Sequence, residues 1–486
     1  MFADSVDSDI APSGTLLGLL QRGRGDGTLY ALAAPRAEAL AALGQCLRRD
    51  PRRDWRLEHR SLYYARLHRD LDAGLDDIED HLFHPADHVD AAEDRTGLAL
   101  SVLGHLASYG DRGALLLLRR YAAQGANWQW ALDELAVRDD DAGLRSLGPA
   151  VLARFPHTPE GEAALAAAVR DAYEPRPWRL WAEDRARPAQ AGRIERAREQ
   201  GSFNRWQRQL RPAGPRPGWS VREVLEWAGA GGPGDDPERR EAAAARCLAA
   251  VAGPEDRPGL LTAARGGPAA ARAAALRHLA ERGDPDVFGL IEAAATGPAD
   301  PVDDPSGAVA RSALAAFSRM RGPAALERAR RWARREDGLG TAAAAMLARH
   351  GGRGDAGPVL AALRRTVRAE GPDAPALESL VDGAGRLTVR CAAPVLRHVY
   401  RETASSRLRG VAARALAATD PSFPAGFAVE CLWDCEESTR EIAARHAATG
   451  DVRVVERLRR LAADPAEEEG VQSAVRGRLG SGGAAR

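Results

Sequence analysis

The sequence predicts an all-α fold, an α-solenoid in which antiparallel helix pairs stack into a superhelix. Three observations favour this class. Hydrophobic residues make up 45% of the 486-residue chain but aromatic residues only 5%, which suits helices packed through alanine better than a sheet core. Apolar residues recur with helical spacing. In the C-terminal half, turn signals return every 30 to 39 residues, a period typical of helical repeats.

The repeat unit is clearest between residues 269 and 295. Gly283 ends a first predicted helix in a left-handed turn, Asp284 can cap a second helix, and Pro285 suits its first position. Since two such helices cannot bury both of their apolar faces alone, the pair predicts neighbours of the same kind. The apolar face of the first helix comprises Ala273, Leu276, Leu279 and Ala280.

The chain divides into five predicted parts. Residues 1–60 form an irregular helical cap, 61–173 a first group of repeats, 174–222 a linker or insertion rich in Pro, Arg and Trp, 223–465 a second repeat array, and 466–486 a terminal helix with a flexible tail. The prolines exclude a continuous helix through the third part. The number of units in the first part stays open. Turns between or within repeats are predicted at Gly110, Asp139 to Asp141, Gly253, Gly283, Gly322, Gly352, Gly385, Asp420 and Gly450.

Charge and cysteine content restrict the cellular setting. The 68 basic residues, all arginine, balance 68 acidic ones, so no overall field attracts the protein to nucleic acid or to a membrane. The absence of lysine indicates a GC-rich, bacterial genome. No apolar run approaches the ~20 residues of a membrane helix, and the acidic N-terminus does not resemble a secretory signal. Five cysteines, an odd number, favour a reducing, cytoplasmic location.

Two stretches carry the repeat pattern most completely. Residues 84–111 read HPADHVDAAEDRTGLALSVLGHLASYGD, and residues 266–286 read GGPAAARAAALRHLAERGDPD. They resemble HEAT repeats of the short variety found in phycobilisome-lyase-type HEAT proteins, and the resemblance covers residues 60–172 and 235–463. It implies the solenoid fold. Because the matching positions are packing and turn residues, it implies no catalytic residue and no bilin-lyase activity.

Arginines late in the second helices of the repeats are the first candidate site. The resemblance implies that second helices line the concave side, where these side chains would face one groove and bind an anionic partner. Alternatively, they are solvated residues that complement the helix dipole. Arg330, Arg334, Arg457, Arg459 and Arg460 belong to the same row. The candidate binding residues are Arg119, Arg120, Arg328, Arg331, Trp332, Arg335, Arg364, Arg365, Arg368, Arg397 and Arg401.

The part spanning residues 174–222 is a second candidate, because it combines arginines with Trp178, Trp181, Trp206 and Trp219. Indoles between guanidiniums can stack on bases or hold an acidic peptide. The favoured alternative is that these tryptophans fill the core between two groups of repeats.

Two further clusters contain metal-ligand residue types. The first comprises His81, His84, His88, Asp77, Asp80, Asp87 and Asp90. Pro85 breaks the helix that would align these side chains, so an ordinary turn is the favoured interpretation. The second is Cys431 with Cys435, one helical turn apart. No second cysteine pair completes a zinc site, so buried packing residues are expected.

Together these features predict a non-enzymatic, cytoplasmic scaffold without cofactor or metal that binds a protein partner, an acidic one suiting the arginines best. Motifs for phosphate binding, zinc hydrolysis and nucleophilic catalysis are missing from the sequence. The alternative is a nucleic-acid-binding protein, by analogy of fold with alkylpurine DNA glycosylases. A modification enzyme of the lyase type is a third, weaker hypothesis. The partner and the oligomeric state stay open.

Overall fold

The computed structural model describes residues 10–51, 60–88, 93–209, 218–230, 237–297, 304 and 307–483. Over these ranges it contains twenty-eight α-helices and five short 3-10 helices, and no strand. The predicted all-α class is therefore confirmed, whereas the superhelical arrangement stays a prediction. Among the described helices, none is both long and apolar enough to cross a bilayer.

The helices belong to two compact units. Unit 1 contains Arg211–Glu402 and Arg414–Asp420, and unit 2 contains Ser5–Leu210, Thr403–Ala413 and Pro421–Arg486. Unit 2 therefore combines segments from the first and the last part of the sequence.

The helices up to residue 209 lie in unit 2. They are α1 (Leu16–Gln21), α2 (Gly25–Ala33), α3 (Arg36–Arg48), α4 (Arg60–Asp70), α5 (Asp76–Leu82), α6 (Glu93–Ser108), α7 (Arg112–Gln124), α8 (Trp128–Arg138), α9 (Asp141–Leu152), α10 (Pro159–Asp171), α11 (Arg176–Ala182) and α12 (Pro188–Gln209). A 3-10 helix, Pro85–His88, precedes α6.

Unit 1 contains the next eleven helices. They are α13 (Val221–Gly229), α14 (Pro237–Val251), α15 (Arg257–Gly266), α16 (Ala269–Glu281), α17 (Val287–Thr296), α18 (Ala308–Arg319), α19 (Pro323–Trp332), α20 (Gly338–His350), α21 (Ala356–Glu370), α22 (Leu377–Arg386) and α23 (Ala393–Glu402). Short 3-10 helices, Pro254–Asp256, Arg353–Asp355 and Arg390–Ala392, precede α15, α21 and α23.

The remaining helices are α24 (Ser406–Thr419), which contributes to both units, and α25 (Phe427–Cys431), α26 (Glu437–His446), α27 (Val452–Ala463) and α28 (Glu469–Gly483) of unit 2. The 3-10 helix Phe423–Ala425 precedes α25.

Unit 1 arranges its helices in two layers. The first helices of successive pairs, α14, α16, α18, α20 and α22, contact one another in that order, and α15, α17, α19 and α21 pack against them. Alanine permits this close approach. In α16 the predicted apolar face is buried, but Ala271, Ala274, Ala275 and His278 are buried as well, because α14 and α18 cover two sides of the helix.

The turn after α16 confirms one sequence expectation and corrects another. Gly283 has a φ of +69°, the left-handed conformation predicted for it. The second helix, however, begins at Val287 rather than at Pro285. The reason is that Asp284 does not cap it in the expected way. Its carboxylate accepts the backbone N–H of Asp286 at 2.9 Å and so forms a tight turn before the helix.

The turn expected at Gly385 lies elsewhere. Gly385 is buried inside α22, and a Cβ atom built there would lie 2.8 Å from the Cα of Ala415. The absence of a side chain at Gly385 therefore permits close packing of two helices and does not mark a turn. The chain turns at Thr388 instead, which takes a φ of +51°.

Unit 2 joins the two ends of the chain. The backbone N–H of Cys435 donates to the carbonyl of Gly23 at 2.9 Å, and the guanidinium of Arg66 lies 2.8 Å from the carboxylate of Asp464 and 3.2 Å from that of Glu467. The segments around Gly23 and Arg66 therefore contact the segments around Cys435 and Asp464.

Candidate binding surface

Several arginines, three of them from the predicted row, hold consecutive helix pairs together. Each donates to an aspartate in the turn of the next pair, an arrangement that we call a turn clamp. The turn clamps are Arg119 with Asp139, Arg257 with Asp284, Arg330 with Asp355, and Arg397 with Asp420. All four aspartates are buried. Hydrogen bonds from the arginines lower the pKa of Asp284 and of Asp355. Arg119, Arg330 and Arg397 thus have a structural role.

A second group of arginines caps helix ends. Arg154 donates to the carbonyls of Ala123 and Gly125, both at 2.7 Å, at the C-terminal end of α7. Arg386 does the same for α20, where it reaches Ala348 at 2.8 Å. The last carbonyls of a helix lack partners within it, so a guanidinium from the next helix pair satisfies them. Arginine content alone therefore overstates the charge available for binding.

Around α19, the predicted site residues are partly neutralised. Arg331 pairs with Glu327 within the helix, and Arg335 contacts both Asp337 and Glu292. Arg328 lies over the rings of Phe288 and Trp332, 5.5 Å and 5.4 Å from their centroids. Trp332 itself is 5% exposed, so its ring is buried beneath the arginines of this surface.

The three arginines of α21 differ from the clamp arginines and from Arg331 and Arg335. Arg364 donates to the carbonyl of Cys391 and Arg368 to that of Arg364, both at 3.2 Å. Arg365 has a buried Nη2 atom without a hydrogen-bond partner. In the part of the chain that the structure describes, none of the three pairs with a carboxylate. Arg364 and Arg368 are exposed and, four residues apart, share one face of the helix.

The remaining predicted row residues are distributed over both units. Arg401 is exposed on α23 of unit 1. Arg119 and Arg120 belong to unit 2, where Arg120 pairs with Glu79 and lies 3.8 Å above the ring of Phe83. The row residues of α19, α21 and α23 thus all belong to unit 1.

The histidine cluster is engaged in local structure. His81 shares a hydrogen bond with the carbonyl of Arg95 at 2.9 Å, and burial lowers the pKa of His81. Asp87 accepts from Tyr121, Arg95 and the N–H of Ala126. Over the described ranges, no three His, Cys, Asp or Glu side chains are placed to hold a metal. The side chain of His88 and all of Asp90 lie outside the described residues.

The expected packing roles fit the cysteines and two tryptophans. Cys431 and Cys435 are buried. Trp178 and Trp181 are each 3% exposed in the core of unit 2, and the indole N–H of Trp181 donates to the carbonyl of Leu144 at 2.7 Å. They lie on α11, so this portion of residues 174–222 is helical. The side chain of Trp206 lies outside the described residues.

Sequence reasoning missed a second set of arginines, at the C-terminal ends of the first helices. Arg277, Arg319 and Arg349 lie near the ends of α16, α18 and α20, three neighbours in one layer. A signal was present, since each occurs shortly before the turn of its repeat. The expectation that second helices line the concave side gave no reason to single out arginines of the first helices.

Fold and surface together define an all-helical protein whose exposed arginines are its most distinctive chemistry. Comparison with protein-family models, curated proteins and solved structures finds no match for this chain. The resemblance to HEAT repeats accordingly stays a prediction.

Proposed function

We propose that this chain is a non-enzymatic, cytoplasmic helical-repeat scaffold of the HEAT type that binds an acidic segment of a protein partner through α21. The observation that carries the proposal is the absence of carboxylate partners for Arg364, Arg365 and Arg368 among the described residues. A partner carboxylate would supply the charge that the fold itself provides to the arginines of the turn clamps.

The chemistry of the surface favours carboxylates. A guanidinium presents two parallel N–H donors that match a carboxylate, and such charge-assisted hydrogen bonds are stronger than neutral ones. Arg364 and Arg368 lie one helical turn apart, about 6 Å along the axis, so two nearby acidic side chains can bind them together.

Affinity capture with a charge reversal tests the proposal. The double variant Arg364→Glu, Arg368→Glu should lose partners that the unmodified protein retains, as measured by quantitative mass spectrometry. The matched control is Arg222→Glu on α13 of the same unit, whose side chain is 85% exposed and, among the described residues, pairs only with Glu226 within its helix. The control should retain the partners.

Two outcomes would contradict the proposal. One is an identical set of partners for the double variant and the control. The other is retention of duplex DNA by the unmodified protein, lost in the double variant and falling steeply with salt, which would assign the surface to phosphates instead.

A further inference from the structure

The C-terminal ends of the first helices of unit 1 lie side by side. Arg386, the last residue of α22, donates to the carbonyls of Ala348 and Gly351 at the C-terminal end of α20. Arg349, near the same end of α20, reaches the hydroxyl of Ser379 in α22 at 2.9 Å. The contacts of Arg386 therefore bring the C-terminal ends of α20 and α22 together, and the layer continues through α18 to α16. Helix ends with the same partial charge form one edge.

Arginines follow this edge from helix to helix. Arg319 and Arg349 are exposed, and the side chain of Arg277 is 27% exposed. Arg319 has no hydrogen-bond or ion-pair partner among the described residues. Desolvation, followed by the like charges of Arg277 and Arg349, lowers the pKa of Arg319. The three side chains thus lie within electrostatic range of one another.

Two carboxylates lie beside the row but are already engaged. Glu281 accepts from Arg277 at 3.0 Å, and Glu241 of α14 accepts from the hydroxyl of Ser312 at 2.7 Å. Beyond α20 the surroundings are positive, since burial and the charges of Arg321, Arg349 and Arg386 lower the pKa of His350. The excess positive charge therefore centres on Arg319 and Arg349.

We infer that Arg277, Arg319 and Arg349 form a second docking surface, which takes an extended acidic peptide lying across α16, α18 and α20. This surface is separate from α21, so the inference stands whether or not the α21 proposal holds. If both hold, the chain can bring two acidic segments together, which is what a scaffold requires.

Spacing predicts the sequence of the ligand. Packed helices lie about 8–10 Å apart, and a peptide in the extended polyproline II conformation advances about 3.1 Å per residue with three residues per turn, so every third side chain lies on the same face. Acidic residues at every third position would therefore meet successive arginines. A nucleic acid fits less well, because Glu281 and Glu241 interrupt the row and would repel a continuous phosphate backbone.

The experiment uses the full chain and two labelled peptides of identical composition, measured by fluorescence anisotropy at low salt. One has Glu at every third position, separated by Gly and Ser, and the other has its Glu residues in one block. The spaced peptide should bind more tightly. Arg319→Glu should weaken its binding on the order of tenfold or more, and Arg319→Gln should weaken it less.

Controls keep the result interpretable. Arg222→Glu and the double variant Arg364→Glu, Arg368→Glu should leave the affinity for the spaced peptide unchanged, which separates this surface from α21. The circular dichroism spectrum and unfolding temperature of each variant verify the fold, and the exposed position of Arg319 makes misfolding unexpected. Equal binding of both peptides, unchanged affinity in Arg319→Gln and Arg319→Glu, or tighter binding of duplex DNA than of the spaced peptide would overturn the inference.

Discussion

Units 1 and 2 both pair arginines with carboxylates, but a turn clamp of unit 1 and two pairs of unit 2 differ in how far the arginine is exposed to solvent. In unit 1 the arginine of the Arg330–Asp355 turn clamp is 53% exposed. In unit 2 Arg409 and Asp434 are both fully buried, with 0% of either side chain exposed, and the Arg440–Glu467 pair is buried as well. Exposed ion pairs contribute little to stability, whereas removing one partner of a buried pair leaves an uncompensated charge.

This difference predicts which substitutions destabilise each unit. Unit 1 distributes its stability over an alanine-rich layer and several modest turn clamps. Unit 2 joins the two chain ends, and the joint depends on a few buried charges and close backbone contacts. Although burial opposes its charge, the carboxylate of Asp434 raises the pKa of Arg409, so this arginine stays charged and depends on its partner.

The largest expected effect follows from breaking the buried pair. Arg409→Met leaves Asp434 buried without its partner and should lower the free energy of unfolding by about 3–5 kcal/mol, measured by urea denaturation. Arg330→Met, which removes an exposed clamp arginine in unit 1, should cost clearly less. Equal losses in the two variants would remove the distinction between the units.

A second, smaller effect concerns backbone contact at the joint. A Cβ atom at Gly25 would lie 1.8 Å from the carbonyl oxygen of Glu430, so Gly25→Ala should destabilise unit 2 by roughly 1–3 kcal/mol through overpacking. Gly289 in α17 of unit 1 has nothing within 4 Å of such an atom. Gly289→Ala should instead stabilise by about 0.5–1 kcal/mol, as expected inside a helix. Thermal unfolding of both variants checks the opposite signs.

The smallest effect is the acid sensitivity of a turn clamp. Hydrogen bonding to Arg330 depresses the pKa of Asp355 in the folded state. The clamp therefore stabilises fully above the unfolded-state pKa of about 3.9 and loses this contribution as pH falls through the lower folded value. Asp355→Asn should lower the unfolding temperature by roughly 2 °C at pH 7, and the difference should shrink toward pH 3. A constant difference across this range would contradict the clamp.

Sequence patterns predicted what depends on local chemistry. The all-α class and the left-handed turn at Gly283 follow from helical periodicity and from the conformational freedom of glycine. The sequence does not reveal the packing role of Gly385, because that role depends on Ala415 in α24, a helix of another pair. The same holds for the joint between Gly23 and Cys435, which brings together residues from opposite ends of the chain.

The candidate site was only partly predictable for a similar reason. Arg330 and Arg364 both occur late in second helices and look equivalent in the sequence. They differ because a turn aspartate of the next pair lies within reach of Arg330, whereas the guanidinium of Arg364 meets, in the described part of the chain, only a backbone carbonyl. Which arginines are available to a partner is set by the geometry between repeats, and arginine spacing does not encode it.

The central claim is that arginines divide into those that clamp the fold and those available for binding. The most direct test is the fraction of captured partner that Arg330→Gln and the double variant Arg364→Glu, Arg368→Glu each retain, with unfolding temperatures measured in parallel. The clamp variant should keep its partner while losing some stability, and the double variant should keep its stability while losing the partner. Equal partner retention in the two variants would contradict the claim.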